Sequence, residues 1–252
     1  MATRRASSPL KLRMAWLVCA ALTTTVLALC GGCGRSEQRD QNATLLIGLI
    51  DETGSFGKYW QPSLEVLAGV VDHLRPGDRV CLIAIDNHGF DSDDVRLPVV
   101  QIPKTSLLAH KTRRDLRKSI LALQPRQMAE QNASASAGRR GTDIVGALSQ
   151  AANCVAYIPD IRPVVLVFSD MIEDPANVPS GAPERGLQFP TATRLAALFV
   201  WQGDSRGGAT EWEHRVSHWV STLRHAGVDC APHDFLPPEL SNSERAVAML
   251  TQ

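Results

Sequence analysis

Short runs of branched apolar residues that stop at a carboxylate alternate, along this chain, with longer segments whose apolar residues recur every three or four positions. Leu45 to Ile50 is such a run, ending at Asp51, and its length suits a central parallel strand covered on both faces rather than a buried piece of helix. Pro62 then opens a helical pattern with Leu64, Leu67, Val71 and Leu74 on one face, ending before Pro76-Gly77. Asp78 to Asp86 reads as a second buried strand, and the short turn before it is what a right-handed βαβ crossover requires. Val95 to Ile102 alternates enough to be a third strand at a sheet edge, the one place where Pro98 and Pro103 are tolerated. Ser106 to Leu123 predicts a basic amphipathic helix, with Leu107, Leu108, Leu116, Ile120 and Leu121 toward the core.

The second half repeats the alternation. Ile144, Leu148, Ala151 and Val155 mark a helix, and Arg162 to Phe168 is an apolar run that leads through Ser169 to Asp170. Leu195 to Trp201 predicts a fifth strand, Trp212, Val216, Trp219, Val220 and Leu223 the stripe of a helix, and Val228 to Phe235 a sixth strand. Ser243 is placed to cap a last helix containing Ala246, Val247 and Leu250. Residues 124–140 and the proline-rich 175–190 read as loops. Six strands alternating with helices predict an α/β fold, a doubly wound, mostly parallel six-stranded sheet with helices on both faces. Sheets of that kind bind at the carboxyl ends of strands, where the strand order reverses.

Composition adds an address. The chain has 252 residues, 44% hydrophobic and 21% charged, which suits one globular domain plus a targeting segment. Residues 1–13 carry Arg4, Arg5, Lys11 and Arg13 with no acid, and Met14 to Leu29 is largely apolar before Cys30-Gly31-Gly32-Cys33. This is the layout of a secretory signal, shorter than the roughly 20 residues a spanning helix needs. Small residues directly before a cysteine resemble a bacterial lipoprotein signal, which implies a lipid on Cys33 and an envelope protein facing the periplasm or the cell surface. A plain signal peptide cleaved nearby is the alternative. The expected boundaries are a signal over 1–33, a polar tether over 34–43 and a single domain over 44–252. Without the signal the chain keeps 22 Lys plus Arg against 26 Asp plus Glu, a formal charge of −4, which argues against a nucleic-acid partner. Three cysteines then remain: Cys81 reads as a buried free thiol, while Cys154 and Cys230 each precede a strand and could pair in an oxidising compartment.

The candidate chemistry sits where the first strand ends. Asp51-x-Thr53-x-Ser55 offers three oxygen-bearing side chains at alternate positions and no thiol or imidazole, a donor set suited to a hard cation such as magnesium. The same residues also suit an ordinary turn or helix cap. His214 and His218, one helical turn apart, and the acid-rich stretch around His88, with Asp86, Asp91, Asp93 and Asp94, read as solvated surface.

Taken with Thr142 before a helix and Asp170 after the fourth strand, the motif resembles the metal-ion-dependent adhesion site of von Willebrand factor type A (vWA) domains. That resemblance implies a strand order 3-2-1-4-5-6, with Mg2+ or Mn2+ held by Asp51, Thr53, Ser55, Thr142 and Asp170. It further implies a protein-binding rather than catalytic role, with a partner's Asp or Glu carboxylate completing the coordination. The recognition surface would include Phe56, Tyr59, Trp60 and the loop at 175–190. Met171 stands where the family usually has glycine. Two alternatives remain: a vWA scaffold whose site is degenerate and metal-free, and a magnesium-dependent phosphatase of the haloacid dehalogenase type. In that enzyme Asp51 would be the nucleophile, Asp170 and Asp174 would hold the metal, and Lys104 or Lys111 would stand nearby, but Thr53 occupies the general acid's place.

Overall fold

The computed structural model describes residues 43–86, 94–124, 142–158, 160–172, 186–190, 192–201 and 208–251. The signal with Cys33, residues 34–42 of the tether, the loop around His88, residues 125–141 and residues 173–185 lie outside the described residues. The strands are β1 (Thr44–Asp51), β2 (Arg79–Ile85), β3 (Val95–Gln101), β4 (Arg162–Phe168), β5 (Thr193–Leu198), β6 (Val228–Asp229) and β7 (Phe235–Leu236). They pair in the order β3-β2-β1-β4-β5-β6, with β7 beside β5, and every pair is parallel except β2 with the edge strand β3. This is the expected doubly wound sheet, and the order reverses between β1 and β4.

The helices are α1 (Trp60–Asp72), α2 (Ser106–Leu121), α3 (Ile144–Tyr157), α4 (Gly208–His225) and α5 (Ser243–Thr251). Because successive strand residues point to opposite faces, the wholly buried β1 feeds two cores. Leu45, Ile47 and Leu49 pack with α3 and α4, whereas Leu46 and Ile50 pack with α1, α2 and α5. Each such buried Leu or Ile stabilises the fold by about 1.5–3 kcal/mol relative to exposure. Gly48 keeps β1 close to its neighbours, since a Cβ there would lie 2.8 Å from Leu82 Cδ1.

Three local expectations are corrected. The sixth strand is cut in two: Pro232, which has no N–H to give a ladder, starts a 3-10 turn over Pro232–Asp234, and the Ala231 N–H bonds Asp234 Oδ2 at 2.7 Å instead. Its two halves still run along β5, β6 beside Thr193 and Arg194, β7 beside Ala197 and Leu198. Leu107 and Leu108 are not core residues but 83% and 52% exposed. The buried stripe of α2 is Ala109, Leu116 and Ile120, and Leu107 lies about 200° around the helix from Ala109. The last helix is capped by Asn242, whose Oδ1 accepts from the Arg245 N–H at 2.9 Å, rather than by Ser243.

Candidate functional site

β1 and β4 run side by side as far as Ile50 and Phe168, and the residues just past that register form the site. Asp51 is 1% exposed and accepts three hydrogen bonds. The Thr53 N–H (2.9 Å) and the Thr53 hydroxyl (2.6 Å) donate to Oδ1, and the Ser169 hydroxyl donates to Oδ2 at 2.8 Å. Thr53 Oγ1 lies 3.3 Å from Ser55 Oγ, and Ser55 in turn hydrogen-bonds the Asp170 carboxyl. Four of the five expected ligands are thus joined in one oxygen-lined cluster spanning two separate segments of chain.

Thr142 is brought to the same end of the sheet by a different route. Asp143 caps α3 by accepting from the Gly146 N–H at 2.6 Å, and its own N–H bonds the Asp86 carbonyl at 2.8 Å. Asp86 follows Ile85, the residue level with Asp51 across the β1–β2 pair. The buried Thr142 therefore lies at the same end of the sheet as the cluster, with no hydrogen bond to it among the described residues.

The electrostatics are those of two buried carboxylates close to one another. Burial pushes the Asp51 carboxyl up to about 7, the Thr53 hydroxyl holds it back, and the nearby Asp170 charge raises it further. Burial also raises Asp170, opposed by the Ile172 N–H, by the Ser55 hydroxyl and by the charges of Arg215 and Lys58. Arg215 is itself held by the Trp201 carbonyl at 2.6 Å and by Glu211 at 3.1 Å. The donor set is all oxygen, two of the donors are carboxylates that repel one another, and a divalent cation between them would relieve both the burial cost and the repulsion. These residues fit Mg2+ or Mn2+.

The turn after β4 shows how the chain manages without glycine. Met171 takes φ 59°, the left-handed conformation open to glycine, at a cost of roughly 1–2 kcal/mol for a residue with a side chain. Three contacts hold it there: its N–H donates to Ser169 Oγ (3.0 Å), its carbonyl accepts from Trp219 Nε1 (3.0 Å), and its side chain is buried with Trp219 in the α3–α4 core. The next strand ends in the same way. Phe199 takes φ 63°, its N–H donates to Ser241 Oγ at 2.7 Å, and β5 stops three residues before the expected Trp201.

Two residues beside the site escaped the sequence reading. Ser169 bridges Asp51 to the Met171 backbone, and its only signal was its place directly before Asp170. Glu52 is buried and paired with Arg96 of β3 at 2.8 Å, which ties the end of β1 to the edge strand. Nothing in the sequence pairs these two. Conversely, Phe56 (0% exposed) and Trp60 are core residues, not recognition surface. Phe56 packs with Tyr59, Phe199 and, through it, Phe168 in an aromatic cluster under the site. Tyr59 alone of the three expected aromatics is partly exposed.

Asp51 is poorly placed to act as a phosphatase nucleophile, since both its oxygens are buried and already bonded. No family model matches the chain, and no curated protein does. Among solved structures, similarity extends over 83% of this chain to proximal thread matrix protein 1 of the mussel byssus (15% identity, TM-score 0.48). The same share matches an aerotolerance-related membrane protein of Bacteroides fragilis (14%, TM-score 0.48), and 82% matches a von Willebrand factor type A protein of Catenulispora acidiphila (14%, TM-score 0.44). The matched region covers 98% of the Bacteroides chain but only 45% and 42% of the mussel and Catenulispora chains. With TM-scores below 0.5 these likenesses carry no functional argument, and the fold assignment rests on the sheet order described above.

Proposed function

We propose that this protein is an envelope-anchored binding module that captures a partner protein through a divalent cation at the carboxyl ends of β1 and β4. The observation that carries the reading is the convergence of Asp51, Thr53, Ser55 and Asp170 into one oxygen-only cluster at the reversal of strand order. Thr53 and Ser55 would hold Mg2+ or Mn2+ through their hydroxyls, Thr142 would join directly or through water, and Asp51 and Asp170 would act through bridging waters. A cation with few direct anionic ligands stays electrophilic, and a carboxylate from a partner's Asp or Glu suits its open position. A lipid on Cys33 would keep the domain at the membrane.

One observation favours the metal-free alternative: Asp51 has three hydrogen-bond donors within the protein and is satisfied without a cation. Calorimetric titration of the chain with Mg2+ and Mn2+, beside Asp51→Ala, separates the two readings. Saturable heat in the parent and none in the variant supports the cation site, and a well-folded parent giving no heat supports the bare scaffold.

A further inference from the structure

The thiols of Cys81 and Cys154 meet across the interface between β2 and α3. Both belong to the core packed under α3 and α4, Cys81 within it and Cys154 at its margin, and the two sulfurs are hydrogen-bonded to each other. Their surroundings differ. Cys81 is buried on a strand that β1 covers on one side, whereas Cys154 is partly exposed on the third turn of α3. Cys230, the partner that spacing along the chain suggested, sits elsewhere: its carbonyl accepts from Arg224 Nε, and Asp234 and Asp229 raise its thiol further after burial has done so.

The hydrogen bond gives the two sulfurs different tasks. The Cys81 S–H donates to Cys154, which brings the Cys154 thiol down to about 7 despite partial burial. The same bond, with burial, drives Cys81 far up, so the proton leaves the accessible sulfur first. A thiolate within reach of solvent, backed by a buried thiol already in contact, has the arrangement of an attacking and a resolving cysteine.

We propose that Cys81 and Cys154 form a reversible dithiol–disulfide pair, closed by exchange with a low-molecular-weight disulfide such as glutathione disulfide. The Cys154 thiolate attacks one sulfur of that disulfide, the S–S bond breaks, and the displaced thiolate takes up a proton. Cys81 then loses its proton and attacks the Cys154 sulfur of the mixed disulfide, expelling the second small thiol. The protein gives up two electrons as the Cys81–Cys154 bond forms, and the small disulfide takes both and leaves as two thiols. Cys81 needs no access to solvent, because its step is internal. The bond would pin the third turn of α3 to β2, and this pairing stands whether or not a cation binds at the sheet's end.

The test is to hold the full chain at graded ratios of reduced to oxidised glutathione, quench with acid, alkylate with N-ethylmaleimide and map the peptides by mass spectrometry. The expected result is a disulfide-linked pair of peptides carrying Cys81 and Cys154, the two losing alkylation together at one midpoint while Cys230 stays alkylated. In Cys81→Ser, Cys154 is expected to stop at the glutathione mixed disulfide. Three results in the parent chain would overturn the proposal: a persistent mixed disulfide on Cys154, a Cys154–Cys230 linkage, or both thiols remaining free in fully oxidised glutathione. The parent's linkage decides, so the outcome does not depend on how the variant folds.

Discussion

Two buried polar pairs lie in different parts of the molecule. At the carboxyl ends of β1 and β4 two carboxylates share a cluster of hydroxyls, while between β2 and the third turn of α3 two thiols share one proton-bearing contact. Both pairs lie where apolar packing would otherwise be continuous, and in both, burial raises one member strongly. What differs is the remedy. The buried carboxylates repel one another, which a bound cation would relieve, whereas the thiols can be joined by oxidation. On the two proposals made above, the first pair takes a ligand and the second an oxidant.

Variants that touch one pair and spare the other tell the two apart. The largest effect is expected from Asp51→Ala, which should weaken Mg2+ binding by about 100-fold in a calorimetric titration, the upper range for losing a group that orients a metal's shell. Cys81→Ala should leave that affinity within about twofold. If the thiol variant weakens metal binding as much as the carboxylate variant does, the two pairs are not separate.

Next in size is Met171→Gly. Relief of the left-handed backbone would return roughly 1–2 kcal/mol, but deletion of a buried methionine side chain costs about 2–5 kcal/mol. The cavity wins, and a net loss of about 2 kcal/mol is expected in urea denaturation. A more stable Met171→Gly would mean that the side chain contributes little to the core and that strain dominates the turn.

A smaller effect sharpens the thiol side. Iodoacetamide should alkylate Cys154 with a pH midpoint near 7, the rate rising with pH as the thiolate forms. In Cys81→Ala the donor is gone and the midpoint should move up toward the ordinary thiol range. An unmoved midpoint would show that Cys81 does not set the reactivity of Cys154. The smallest effect is the control, Asn242→Ala, which should lower stability by about 1 kcal/mol through loss of the α5 cap and change neither metal binding nor alkylation.

What the sequence revealed followed the range of the interaction. The Asp51-x-Thr53-x-Ser55 spacing is local, and a strand that stops at Asp51 fixes where those three side chains point, so the site and the central strand were legible together. Asp170 was legible for the same reason, at the end of a second apolar run. Met171 was harder to read, because its left-handed backbone depends on Ser169 and Trp219, and the Trp219 contact is 48 residues away. Phe56 and Trp60 follow the motif directly and so read as surface, yet packing against Phe199 and the α1–α2 layer decides their burial. Leu107 misled because its apolar character was counted without its angle on the helix. The Cys81–Cys154 contact joins a strand to a helix from the other half of the chain, and no spacing along the sequence encodes it.

The most direct measurement is a count of Mn2+ bound per chain by electron paramagnetic resonance, in which the six-line signal of free Mn2+ disappears on binding. One Mn2+ per parent chain, displaced by excess Mg2+ and lost in the Thr53→Ala, Ser55→Ala double variant, is the expected result. An undiminished free signal with a natively folded parent, or one equally diminished by the double variant, would contradict a cation site at the ends of β1 and β4.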